Sequence, residues 1–143
     1  RLIEFEVYID GEYVYTLRAD GVIVATPTGS TAYALSAQGP ILHPGVGAFA
    51  LVPLNPHTLS ARPVSVADRS VIEIVLVRAL DARAHFDGYA LADMAQGDRL
   101  VLRRSGQSAR FVHPPGYSYF VMLREKLRWS EAVDRARDPG EPD

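Results

Sequence analysis

The stretch Ile3-Glu4-Phe5-Glu6-Val7-Tyr8-Ile9-Asp10-Gly11-Glu12-Tyr13-Val14-Tyr15-Thr16-Leu17-Arg18 decides the fold class. Its first half sets apolar Ile3, Phe5, Val7 and Ile9 against Glu4, Glu6, Tyr8 and Asp10. That period of two puts one face of a strand on a core and the other in water. Asp10-Gly11 offers the positive dihedrals of a tight type I′ turn, and Tyr13, Tyr15 and Leu17 alternate beyond it, so the stretch reads as a hairpin. Downstream, Asp20-Gly21 repeats the punctuation. Val22-Ile23-Val24-Ala25 is then a short continuous apolar run closed by Thr26-Pro27, the form taken by a strand buried on both faces.

Outward from there, strand-like runs are expected at residues 48–53, 70–77, 82–86, 99–103 and 109–113, separated by Pro, Gly and Asp clusters. A helix of one or two turns is expected at residues 32–37, with Ser30 or Thr31 as its cap and Gly39-Pro40 as its stop. Residues 117–129 space Tyr119, Phe120, Leu123 and Leu127 as a helix does and place Arg124, Lys126 and Arg128 late, where cations suit the dipole. The fold class is therefore all-β: an antiparallel β-sandwich-like domain over residues 1–130, with one short internal helix and a C-terminal helix. Residues 131–143, charged and broken by Pro139 and Pro142, are expected to form a flexible tail.

The 143 residues suit one domain, and 48% hydrophobic against 22% charged residues is ordinary globular usage, which excludes disorder. With 15 Lys and Arg against 17 Asp and Glu, the net charge of -2 supplies no basic field for nucleic acid or an acidic membrane. Zero cysteines exclude disulfides, a thiolate zinc site and a Cys nucleophile, and point to a cytoplasmic location. Prolines interrupt every long uncharged stretch, so no helical membrane span is expected. The first residues do not resemble a signal peptide; they start without Met, as if in mid-strand, which suggests a piece of something longer.

For chemistry, His43, His57, His85 and His113 never fall at metal-ligand spacing, so this chain is not expected to build a metal site alone. His43-Pro44 and His113-Pro114 read as strand ends with the imidazole bonded to backbone. Gly29-Ser30-Thr31 lacks the lysine of a P-loop and the frame of a nucleophile elbow. What remains is Thr26, Thr28, Gly29, Ser30, Thr31 and Ala32 at the mouth of a short helix, where free N–H groups can take an anion or a ring nitrogen and Tyr33 offers a stacking face. That composition fits a nucleotide pocket, and it equally fits a capped loop without a ligand. Asp20 and Asp87 each precede glycine, as turn aspartates do, and Arg103-Arg104 suits a solvated face or a phosphate.

The segment from Asp20 through Thr26-Pro27-Thr28-Gly29-Ser30-Thr31-Ala32-Tyr33 to Gly39-Pro40-Ile41-Leu42-His43-Pro44 resembles the C-terminal domain of NAD kinases. The similarity continues through residues 52–63, Phe86-Asp87-Gly88, Phe111-Val112-His113-Pro114 and the ending from Tyr119 to Trp129. The resemblance implies transfer of the terminal phosphate of ATP, or in some members polyphosphate, to the 2′-hydroxyl of the adenosine ribose of NAD, giving NADP. A divalent metal such as Mg accompanies the phosphates. By the same matching, Thr31, Ala32 and Ser36 surround the adenine and Tyr33 lies against the dinucleotide. Asp20 and Asn55 lie in segments that reach the nicotinamide half, in some members from a neighbouring subunit, and Asp87 lies near the adenosine or phosphate end.

The family's Gly-Gly-Asp-Gly segment, which carries its proposed base, occurs nowhere in these residues, nor does its Asn-Glu pair. The expectation is therefore the NAD-binding half of an NAD kinase, inactive alone because in-line transfer needs donor, metal and hydroxyl held together. An N-terminal α/β half is expected as its partner, with a homo-oligomer as the assembly and neither nucleic acid nor membrane as a partner. Two alternatives stand beside it: a non-catalytic dinucleotide-binding or oligomerisation domain, and a lipid-kinase relative, which the Thr-Gly-Ser-Thr-Ala-Tyr match fits less well.

Overall fold

Alternation produces the hairpin: β1 (Ile3–Ile9) and β2 (Glu12–Ala19) pair antiparallel with Ile9 opposite Glu12. Asp10 and Gly11, at φ 52° and 79°, form the whole connection, as a type I′ turn requires. The computed structural model describes residues 2–129, which divide between Gly106 and Gln107 into two units.

In the first unit, β3 (Gly21–Ala25) leads through a 3₁₀ turn (Thr28–Thr31) into the single-turn helix α1 (Tyr33–Ser36). The strands β4 (Ala48–Leu54), β5 (Val64–Ala67), β6 (Ile72–Arg78), β7 (Ala82–Phe86), β8 (Tyr89–Met94) and β9 (Arg99–Leu102) follow. A four-stranded sheet runs β2-β1-β6-β9, a three-stranded sheet runs β3-β4-β5, and β7 and β8 form a separate hairpin. Every paired neighbour is antiparallel.

The two larger sheets pack face to face. Phe5 and Val7 of β1, Leu17 and Ala19 of β2, and Ile72, Ile74 and Leu76 of β6 meet Leu51 of β4, with Val22, Val24, Phe49 and Val66 packed around them. On the opposite face of the smaller sheet, Ala25, Ala48, Ala50 and Val52 form a second cluster with Ala34 of α1 and Leu42. The central strand β4 is thus covered on both sides and reads as an apolar run, Ala48-Phe49-Ala50-Leu51-Val52-Pro53-Leu54. β3 also packs on both faces, yet Val22, Ile23 and Val24 stay half-buried because it is the edge of its sheet.

On the outer face of the larger sheet, Glu4 lies 3.9 Å from both Arg18 and Arg78, and Arg99 bonds Glu73. Tyr8 donates its hydroxyl to Glu6 at 2.6 Å, and that bond to a carboxylate pushes the phenol up from its ordinary range. On β2, burial pushes the Tyr15 phenol up to about 12, and its hydroxyl meets no hydrogen-bond partner among the described residues.

Strands β5 and β8 were not expected. Val64–Ala67 has only four residues directly after Pro63, too short for a visible period. Tyr89–Met94 is built from helix formers, and its strand state comes from Asp87 and Gly88, at φ 49° and 85°, which fold it back on β7. In the second unit, the strand expected at residues 109–113 is absent: the segment is exposed, pairs with no strand and runs into Pro114-Pro115, whose nitrogens cannot donate to a ladder. The C-terminal helix α2 (Tyr119–Lys126) is shorter than residues 117–129, since Ser118 accepts from the Val121 N–H and sets its start. The tail expected over residues 131–143 lies outside the described residues.

Candidate functional site

Pro27 leaves β3 in helical geometry, and the hydroxyl-rich segment after it closes on itself. The Gly29 N–H donates to Thr26 Oγ1 at 3.1 Å, and Thr31 Oγ1 donates to the Thr28 carbonyl at 3.2 Å. Ser30 is fully buried; its Oγ donates to the Pro27 carbonyl at 2.6 Å and accepts from the Leu42 N–H at 3.0 Å. Neither Ser30 nor Thr31 caps α1, contrary to the sequence expectation. The residue before that helix is Ala32, which has no side chain able to accept. With only four residues, α1 also sums too few peptide dipoles to make the anion-binding end that the sequence suggested.

A groove of about 290 Å³ opens where α1 ends against the end of β4. Tyr33, Ser36, Ala37 and Gln38 form one wall, and Pro53, Leu54, Asn55 and Pro56 form the other. Gln38 and Asn55 both adopt left-handed backbone, φ 63° and 45°, so each wall turns sharply where it meets the opening. Gly39 lets the walls approach: a Cβ there would lie 2.8 Å from the Ala34 carbonyl oxygen and 2.8 Å from Val52 Cγ2.

Asn55 Nδ2 donates to Asp20 Oδ2 at 3.0 Å, and the Asp20 N–H donates to the Leu54 carbonyl at 2.9 Å. A carboxylate only accepts, so this bond fixes which end of the Asn55 amide faces Asp20. The arrangement puts an amide oriented by Asp20 in the same groove as the ring of Tyr33, which is 67% exposed. A planar ring could stack on that phenol while hydroxyl and amide groups of Ser36 and Asn55 meet its polar edge.

Of the seven residues expected at the site, Tyr33, Ser36 and Asn55 line the groove, Asp20 is bonded to it through Asn55, and Thr31 and Ala32 directly precede Tyr33. Asp87 is not brought there; it occupies the turn of the β7–β8 hairpin. Sequence reasoning missed Ala37, Gln38, Pro53, Leu54 and Pro56 as lining. The signal for the last three was the Leu54-Asn55-Pro56 step at the end of an apolar strand; Gln38 gives no such sign. His43 Nδ1 accepts from the Gly45 N–H at 2.9 Å, the backbone role expected of it. His113 instead stacks on Tyr117 with ring centroids 3.8 Å apart. Arg104 does not await a phosphate, because its guanidinium donates to Asp68 at 2.8 Å.

Among the described residues, no group of three or more His, Asp or Glu comes within reach of a common metal ion. No described helix is long and apolar enough to cross a membrane.

Comparison with known proteins adds relatives to this geometry. Residues 1–114 match the ATP-NAD kinase C-terminal domain. The chain is 66% identical over 135 residues to an NAD kinase of Aromatoleum aromaticum, covering 94% of this chain and 45% of that one. It therefore spans about half the length of the curated relatives it matches. Among solved structures, a yeast NADH kinase complexed with NADH superposes with a TM-score of 0.68 at 40% identity, over 71% of this chain and 29% of that one. An Archaeoglobus fulgidus NAD kinase in complex with ATP gives 0.65 at 31% identity, over 74% of this chain and 41% of that one.

Proposed function

The chain belongs to the ATP-NAD kinase family through its C-terminal domain, and from that premise we propose that it forms the dinucleotide-binding half of an enzyme that phosphorylates NAD to NADP. The carrying observation is the groove, in which an exposed phenol, a serine and a carboxylate-oriented amide meet at the junction of α1 and β4. Tyr33 stacks against the dinucleotide, with Thr31, Ala32 and Ser36 around the adenine. The Asp20–Asn55 pair faces the nicotinamide end, where the amide's other N–H and its oxygen suit the carboxamide of the ring. Asp87, in the β7–β8 turn and outside the groove, takes no part in this reading.

The labour is divided. Phosphoryl transfer depends on holding the acceptor hydroxyl in line with the donor, and this half positions the acceptor. The base, the ATP and a divalent metal such as Mg belong to an N-terminal α/β half. Self-association into a homo-oligomer would let Asp20 and Asn55 complete a neighbour's site. The enzyme works in the cytoplasm.

Titration of the isotopically labelled chain with NAD, NADP and ATP tests the reading. NAD shifts the resonances of Tyr33, Ser36 and Asn55 with a Kd on the order of millimolar, since a half-site forgoes many contacts. ATP leaves them in place. Equal shifts with ATP, or none with NAD, would sink the assignment.

A further inference from the structure

Ser30 is the only polar side chain among the described residues, besides Ser70, that the fold buries, and none of the roles above uses it. Its hydroxyl spans two segments. It donates to the carbonyl of Pro27, three residues back, and accepts the N–H of Leu42, twelve residues on. The segment closed by that second bond contains Thr31, Ala32, Tyr33 and Ser36, so one oxygen ties both ends of the ligand-bearing turn.

The chemistry leaves little choice of side chain. Leu42 is itself buried, and its N–H has no backbone acceptor among the described contacts, so removal of the Ser30 oxygen strands a buried donor. Alanine supplies no acceptor, whereas threonine keeps the hydroxyl. The bond also acts sideways on the groove. Leu42 packs in the cluster with Ala34 and Val52, so the latch ties the turn to the layer that joins α1 to β4. Tyr33 itself is exposed and its side chain makes no hydrogen bond with the described residues that would hold its ring in register; its placement comes from the turn that carries it.

We propose that Ser30 is a positioning residue: its hydroxyl latches the 3₁₀ turn to Leu42 and so sets the height at which Tyr33 presents its ring to NAD. The role rests on the dinucleotide reading of the groove, and the experiment separates the two. In the labelled chain, amide exchange at Leu42 reads the latch directly, NAD titration reads the groove, and exchange in β1 and β6 checks that the sandwich is folded.

For Ser30→Ala, Leu42 exchange accelerates at least about tenfold and NAD affinity falls about tenfold, with β1 and β6 amides protected as before. Ser30→Thr recovers most of both. Unchanged Leu42 exchange in Ser30→Ala, or unchanged NAD affinity despite faster exchange, overturns the latch role while leaving the groove assignment standing. A wild-type chain that leaves NAD unbound overturns the groove assignment and this role with it, even if Leu42 exchange responds. If Ser30→Ala does not fold, Ser30→Thr decides: native Leu42 protection and NAD affinity support the role, and native protection with a tenfold loss of affinity overturns it.

Discussion

Two tyrosines show how differently one residue type is used. Tyr33 exposes two-thirds of its surface beside the groove, so Tyr33→Ala is expected to weaken NAD by about tenfold or more, in line with about 1–2 kcal/mol for a lost aromatic contact, with the thermal midpoint nearly unchanged. NAD titration and a thermal melt check both. Tyr15 is inward, and its phenol has no partner among the described residues. Tyr15→Phe is therefore expected to raise stability at neutral pH by about 1 kcal/mol, read from urea unfolding. The pH dependence has a definite sign. Burial favours the neutral phenol, with the folded value at about 12 against 10.0 unfolded, so its ionisation leaves stability untouched below pH 10 and lowers it progressively as pH rises toward 12. Melts across that window should fall less steeply for Tyr15→Phe than for wild type.

At the scale of elements, the junction of α1 and β4 depends on Gly39. Adding one methyl drives Cβ to 2.8 Å from both the Ala34 carbonyl and Val52, a contact that helix and strand must relieve by separating. Gly39→Ala should cost about 1–3 kcal/mol in urea unfolding and widen the groove enough to reduce NAD binding. Elements also show what could be read in advance. The first hairpin was legible because a period of two and an Asp-Gly step agree, and β3 because its unbroken apolar run admits packing on both faces. β8 was hidden because Ala90, Ala92 and Met94 prefer helix, and only the turn before them overrides that preference. Residues 109–113 misled because β propensity cannot supply a neighbouring strand. In the groove, Tyr33 was legible from its hydroxyl-rich approach, whereas Ser36 and Asn55 came only through the family resemblance. Gln38 was not, since nothing in a glutamine announces φ 63°.

Across the whole first unit, protection from exchange should follow the packing. Amides of β1, β4 and β6, which carry the buried clusters, are expected to exchange last. Those of β7 and β8 should exchange first, because that hairpin stands as a two-stranded sheet with Phe86 and Tyr89 exposed. Reversal of that order, with β7 and β8 outlasting β1, would mean that the hairpin is covered by something beyond these contacts. At the same scale, the chain mixed with NAD, ATP and magnesium should form no NADP; robust turnover would break the proposed division of labour. Finally, β4 contributes Leu51 to the sandwich interior, Ala50 and Val52 to the layer beneath α1, and Pro53 and Leu54 to the groove wall. Such a strand gives the pocket no melting point of its own: warming cannot loosen the ligand's seat first and the scaffold later, so affinity should hold nearly level with temperature and then vanish in the same few degrees as the fold.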